Sequence, residues 1–340
     1  MPTTDSPGDA ESARVPGTEG DRARPGSSAG FQAHVRAARS EFEHQIDRAR
    51  ADFEEVNDRI NARTGRNLLM ATLIGLAVGA VVLGSLLFIK WLFLVFAIPV
   101  CLLGVFEFSR ALQTAGRRVD AWPQVIAGAV IMLSAFFAGH LTHWALTFGA
   151  VAAVIVWRLL AQMVASDGRR YGDVLGDVLV AGFLPLYVPF LASLALVLLR
   201  QEQGEYWVLG MLIAVVASDT GAYASGLAFG AHPMAPRISP KKTWEGFAGG
   251  AAVTVVAAVL WGLFMLGIPW WAGAIFGLLI LGCATVGDLG ESMIKRDLGI
   301  KDMSSWLPGH GGVLDRLDSI LPSAAAALAL YFLFFPLVST

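Results

Sequence analysis

The run DLGESMIKRDLGIKDMSSWLPGHGGVLDRLD, residues 288–318, leaves one apolar segment and leads directly into another. It sets Asp288, Glu291, Asp297, Asp302, Asp315 and Asp318 beside Lys295, Arg296, Lys301 and Arg316, around a Pro-Gly turn, His310 and the pair Gly311 and Gly312. Charge is expensive beside a bilayer: on the mildest insertion scale an ionised group at the centre of a membrane helix costs about 2.5–3.5 kcal/mol. A salt-bridged loop that merely orients helices needs far fewer charges than this. The concentration therefore implies a site, and the apolar chain on either side becomes its scaffold.

The chain has 340 residues, 55% of them hydrophobic and 15% charged, and a mean hydropathy of +0.60. Soluble domains carry about 25% charged residues, so this composition belongs to a membrane protein. A net charge of −2 argues against a nucleic-acid partner, whose footprint is a basic face. Cys101 and Cys283 both sit in apolar runs, which suits core packing rather than a disulfide framework or a zinc cluster.

Residues 1–30, rich in Pro, Gly, Ser, Asp and Arg, bury too little apolar surface to order and form an expected disordered tail. No apolar signal-peptide core follows the initiator Met, so no cleavage is expected. Over 31–63, Phe31, Val35, Ala38, Phe42, Ile46, Ala49, Phe53, Val56 and Ile60 recur every three or four residues, the spacing of an amphipathic helix. Such a helix suits the cytoplasmic membrane face, a partner, or a cover for the membrane domain that fills 64–340.

Each crossing of the hydrocarbon core needs about 20 apolar residues. The spacing predicts an all-α, polytopic membrane fold with spans near 67–89, 91–112, 122–139, 141–164, 174–199, 206–228, 245–266, 270–294 and 317–337. With an odd number the termini fall on opposite sides. Arg63, Arg66, Arg110, Arg117, Arg118, Arg169, Arg170, Arg237, Lys241, Lys242, Lys295, Arg296, Lys301 and Arg316 then share one side, against Lys90 and Arg200 on the other. The positive-inside rule puts the rich side in the cytoplasm, with the N-terminus inside and the C-terminus outside. The polar run consequently faces the cytoplasm.

If the helix entering near Trp270 continues past Asp288, then Asp288, Glu291, Ser292 and Lys295 lie along one stripe. Asp315 and Asp318, three apart, project together from the start of the last helix. Carboxylates from two helices facing one gap suit a hard divalent cation, magnesium above all, which takes its other ligands from water and phosphate oxygens. Lys295, Arg296, Lys301 and Arg316 would neutralise a polyphosphate, and Gly311 and Gly312 would let backbone N–H groups approach it. This is the chemistry of phosphoryl or nucleotidyl transfer to a lipid.

A second polar element opens at Ser218, Asp219 and Thr220 inside an apolar helix, with Tyr223 one turn beyond, and an Asp there is a functional candidate. The loop after it carries Ser239, Lys241, Lys242, Thr243 and Glu245; its lysines suit an anionic ligand, although the positive-inside rule alone also accounts for them. Glu107 reads as a buried hydrogen-bonding residue rather than part of the site. His140 and His143 lack a third metal ligand and read as interfacial, and Asp167, Asp173 and Asp177 as helix-end or loop charges.

The run Ser292–Ser319, SMIKRDLGIKDMSSWLPGHGGVLDRLDS, resembles the signature of phosphatidate cytidylyltransferases, the synthases of CDP-diacylglycerol. Ser292, Lys295, Arg296, Lys301, Asp302, Pro308, His310, Gly311, Gly312, Asp315, Arg316 and Asp318 occupy its positions without departure. The likeness extends through GDLGES around Asp288, ISPKKTWEG over 238–246 and SDTGAY over 218–223, and covers roughly residues 64–340. It implies a dimeric bacterial enzyme of the plasma membrane that transfers CMP from CTP to phosphatidate, needs magnesium and in some members holds potassium. It also implies Asp288 and Asp315 as metal ligands, and Lys295 and Arg296 beside the phosphates. Arg316 is a further phosphate candidate, and Lys241 and Lys242 suit either the lipid phosphate or the triphosphate. Ser218, Asp219, Thr243, Ser292, Lys301, Asp302, His310, Gly311, Gly312 and Asp318 complete the expected substrate site. The rival readings are a CTP-dependent polyprenol or phytol kinase and an ion-coupled transporter; the transporter would carry an internal repeat, and none is visible.

Overall fold

A computed structural model of the chain describes residues 79–165, 168–300, 302–304 and 312–338, all within the unit Asn67–Thr340. The tail over 1–30, the amphipathic helix over 31–63, the beginning of the first span, Asp167, Lys301, His310 and Gly311 lie outside the described residues.

Apolar side chains facing lipid leave backbone polar groups no water, so every crossing segment satisfies them internally as helix. Among the described residues seven helices are long and apolar enough to cross a membrane: α2 (Lys90–Thr114), α4 (His140–Ala165), α5 (Tyr171–Leu199), α6 (Gly204–Phe229), α7 (Trp244–Leu266), α8 (Trp270–Asp297) and α9 (Leu314–Leu337). Two shorter apolar helices, α1 (Gly79–Phe88) and α3 (Ala121–Phe137), bring the order into line with the nine expected spans. The loop between α6 and α7 departs from an all-helical description. There β1 (Pro233–Ala235) and β2 (Ser239–Thr243) pair antiparallel.

The core gathers where the end of α5 meets α6, α8 and α9. Leu194–Leu199 are buried, and Trp207 of α6 is enclosed edge-on by Phe276 of α8 and Tyr331 of α9, with ring centroids 5.8 and 5.4 Å away. By contrast Leu141, Met163 and Val164 of α4 stay exposed, as lipid-facing residues do. A π-helical turn at Leu186–Phe190 interrupts α5 around Pro189, whose missing N–H cannot continue the ordinary ladder.

Polar pins fix both ends of the bundle. At one end Lys90 pairs with Glu205 at 2.6 Å, and Arg200 donates to the carbonyls of Ala135 and Ala138. Towards that end His143, read from the sequence as interfacial, is buried between the hydroxyls of Ser134 and Ser193, and only His140 is exposed. At the other end Asp177 is wholly buried, pairs with Arg169 at 2.8 Å and accepts the Arg118 N–H. It lies a full turn inside α5 and ties two connections together, which corrects its reading as a helix-end charge.

Small residues bring the site-bearing helices into contact. Gly246 and Gly250 of α7 abut Ala222 and Ser218 of α6 so closely that an added Cβ would stand 2.9 Å and 3.0 Å from their carbonyl oxygens. That is the small-xxx-small packing of membrane helices. On α8, a Cβ at Gly287 would stand 2.2 Å from the Asp318 carbonyl and 2.7 Å from Pro322. Gly287→Ala is therefore expected to destabilise the protein by about 1–3 kcal/mol. Gly282→Ala, on the same helix with nothing within 4 Å among the described residues, should leave the melting temperature in detergent unchanged or raise it.

Candidate active site

Helices α6, α7, α8 and α9 and the hairpin enclose a cavity of about 770 Å³. Ser218 and Asp219 reach it from α6, with Tyr223 one turn further on. Lys241, Lys242 and Thr243 come from β2, Asp288 and Lys295 from α8, and Asp315, Arg316 and Asp318 from α9. Residues as far apart in sequence as Ser218 and Asp318 thus line one space.

The hairpin is held in place locally. Thr243 caps α7, its Oγ1 accepting the Gly246 N–H at 3.1 Å. The Glu245 carboxylate accepts the backbone N–H groups of Ala231 and His232, both at 3.1 Å, and closes the base of the hairpin. Lysines 241 and 242 are thereby presented beside α8, where Lys242 forms an ion pair with Asp288. Helix α8 runs unbroken to Asp297, so Asp288, Glu291, Ser292 and Lys295 do share a stripe. The Ser292 hydroxyl donates to Asp288 Oδ1 at 3.4 Å.

Asp315 is the most heavily engaged carboxylate. It accepts from Lys295 Nζ at 2.9 Å, from the Gly312 N–H at 2.8 Å and from the Met303 N–H at 3.2 Å. One side chain thereby joins the end of α8, the connection after it and the start of α9. Beneath it Asp318 is buried and accepts the Ser319 N–H at 2.6 Å.

Other sequence candidates sit around the cavity rather than on its wall. Arg296 is exposed, and its Nε donates to the Ile238 carbonyl at 3.3 Å, tying α8 to the hairpin turn. Ser292 and Gly312 act on Asp288 and Asp315 as described, and Asp302 is exposed on the connection. Glu107, read as a structural residue, is buried in α2 and takes the Ser304 hydroxyl at 2.5 Å and the Leu314 N–H at 3.0 Å. It anchors both ends of the connection from outside the cavity.

The sequence reading left out Thr285 and Ser319 on the wall and gave Glu291 no task. Thr285 stands one turn before Asp288, so helical spacing alone would have placed it there. Tyr187, on the π-turn of α5, has a buried hydroxyl with no hydrogen-bond partner among the described residues. No local pattern around Tyr187 announces that position.

Among the described residues no three His, Cys, Asp or Glu side chains come together as a closed metal site. The four carboxylates that line the cavity, those of Asp219, Asp288, Asp315 and Asp318, together with the Ser218 hydroxyl, instead form a hard and incomplete donor set. That fits magnesium, which keeps several waters and takes substrate phosphates as ligands.

Residues 69–334 match the cytidylyltransferase family. Proteins named phosphatidate cytidylyltransferase from Mycobacterium bovis and Mycobacterium leprae are each 40% identical to this chain. The alignments span 271 and 275 residues, 78% of this chain in both cases, and 89% and 88% of those proteins. One of the same name from Brucella suis is 35% identical over 265 residues, covering 75% of this chain and 90% of that protein.

Because Glu107 meets the cavity only through the connection it anchors, Glu107→Ala tests the anchor apart from the wall. It leaves the Leu314 N–H and the Ser304 hydroxyl without their acceptor. It should cost about 1–3 kcal/mol of stability, read as a lower melting temperature, with turnover falling as the connection loosens.

Proposed function

The chain belongs to the cytidylyltransferase family, and we propose that it transfers the CMP unit of CTP to phosphatidate, forming CDP-diacylglycerol and pyrophosphate. The observation that carries this reading is one cavity, at one end of a membrane bundle, in which Asp288 and Asp315 face Lys241, Lys242, Lys295 and Arg316. Acids and bases in that arrangement suit the joining of two polyanions.

A phosphate monoester has a second pKa near 6, so phosphatidate is largely a dianion at neutral pH and is already a nucleophile. No residue need remove a proton. A phosphatidate oxygen forms the new bond to the α-phosphorus of CTP, and the bond from that phosphorus to the bridging oxygen breaks. Pyrophosphate leaves with the electron pair. Lys241, Lys242, Lys295 and Arg316 bind and orient the phosphates against their mutual repulsion. Aimed at the charge that grows on the reacting phosphoryl oxygens, such groups favour the transition state over the ground state. Asp288 and Asp315 would hold magnesium, which would neutralise phosphate charge and act as a Lewis acid. Ser218, Asp219, Thr243 and Asp318 supply polar support around the same space. The cavity faces the cytoplasm, where CTP is found, with the N-terminus inside and the C-terminus outside, and the enzyme works as a homodimer in the plasma membrane.

Incubation of membranes containing the protein with CTP, phosphatidate and magnesium should yield CDP-diacylglycerol and pyrophosphate. Release of CDP from labelled CTP would indicate a lipid kinase instead. Removal of divalent ions with EDTA should stop product formation, and added magnesium should restore it. Asp288→Asn and Asp315→Asn should each lower turnover by about 10²–10³ or more, the scale of losing a principal charge-stabilising group. Both variants should still elute as folded protein in detergent; normal turnover in either would remove that residue from the metal site.

A further inference from the structure

The Glu245 carboxylate is engaged at both oxygens, yet it lies off the cavity wall and the reaction as described gives it no part. Its Oε2 accepts the backbone N–H groups of Ala231 and His232, both at 3.1 Å, and its Oε1 meets the imidazole Nδ1 of His232 at 2.5 Å. A carboxylate offers acceptors only, so that ring nitrogen carries the hydrogen. Ala231 and His232 stand 14 and 13 positions before Glu245 in the chain, and the hairpin lies between. An acid in the first turn of a helix has a ready explanation in the helix dipole. The dipole does not call for three bonds to a segment on the far side of a hairpin.

Resting on the functional reading above, we propose that Glu245 is a positioning residue for the reaction: by tying the segment that enters the hairpin to the helix that leaves it, it fixes where Lys241 and Lys242 stand at the cavity. Among the described residues the hairpin has few other restraints. Its sheet consists of β1 and β2 alone, and an isolated two-stranded hairpin is marginally stable at best. One backbone bond, from the Trp244 N–H to the His232 carbonyl at 2.9 Å, supports the base, and Arg296 holds the turn through Ile238. The ion pair of Lys242 with Asp288 cannot anchor the strand while that lysine is engaged with a phosphate. A lysine head rides on a flexible four-carbon stem, so its place depends on a strand that stays still. A misplacement of about 1 Å at a site can cost about 10²-fold in rate.

Glu245→Ala opens the clamp, whereas Glu245→Gln keeps an oxygen for the two backbone N–H groups and removes only the charge. Because the clamp is exposed, both variants should melt in detergent as the wild type does. Amide hydrogen exchange should quicken over residues 231–243 in Glu245→Ala and stay unchanged in the helices. In the same variant kcat/KM should fall about tenfold or more, through whichever parameter Lys241→Ala moves, be it kcat or the KM of CTP or of phosphatidate. Glu245→Gln should stay within threefold of wild type. Glu245→Ala within twofold of wild type, Glu245→Gln as impaired as Glu245→Ala, a loss that tracks a falling melting temperature, or a change in a different parameter from the one Lys241→Ala moves would each overturn the proposal. Wild-type protein that formed no CDP-diacylglycerol would instead remove the functional reading on which it rests.

Discussion

The Asp315 carboxylate is the constraint on which the site depends, because it is where three separate pieces of chain are made to agree. Lys295 brings the end of α8 to it, and the N–H groups of Met303 and Gly312 bring the two ends of the following connection. Bonds to an ionised acceptor are about twice as strong as neutral ones. Glu107 repeats the device from the opposite side, holding Ser304 and Leu314 from α2. Between them these two acids hold Met303, Ser304, Gly312 and Leu314, described residues that α2 and α8 would otherwise not reach by hydrogen bonds of their own backbone.

The close contacts between helices have a different origin. In lipid there is no hydrophobic drive for helices to associate, so contact comes from van der Waals fit and from backbones that can approach. Gly246 and Gly250 bring α7 against α6, Gly273 and Gly277 of α8 meet Ala258 and Thr254 of α7, and Gly287 meets α9 at Asp318. The cavity opens where this glycine-led packing gives way to charged side chains. Its shape is thus set by residues that have no side chain, and its chemistry by those that do.

Much of this was legible in the sequence because it is periodic or local. Apolar runs of about 20 residues announce the crossings, and helical spacing alone puts Asp288 and Lys295 on one stripe. The polar density after Asp288 marked the end of the bundle that holds the cavity. What local pattern could not show is pairing at a distance. Glu107 and Leu314 meet 207 positions apart, and Asp177 meets Arg118 across 59. Likewise a histidine read as interfacial became a buried bridge, since nothing near His143 in sequence names Ser193 as its neighbour. The strands of the hairpin were read as loop because Ser-Pro-Lys-Lys-Thr has neither alternation nor a β-branched run.

Thr243 carries one more consequence. Its hydroxyl oxygen is already occupied as the acceptor for the Gly246 N–H that begins α7, which leaves its hydrogen to point elsewhere. One of its two lone pairs is thereby taken up, and the O–H hydrogen and the second lone pair remain for the space that the residue lines. A single side chain thus both starts a helix and lends polarity to the wall beside it, so the helix cannot shift its first turn without altering that wall.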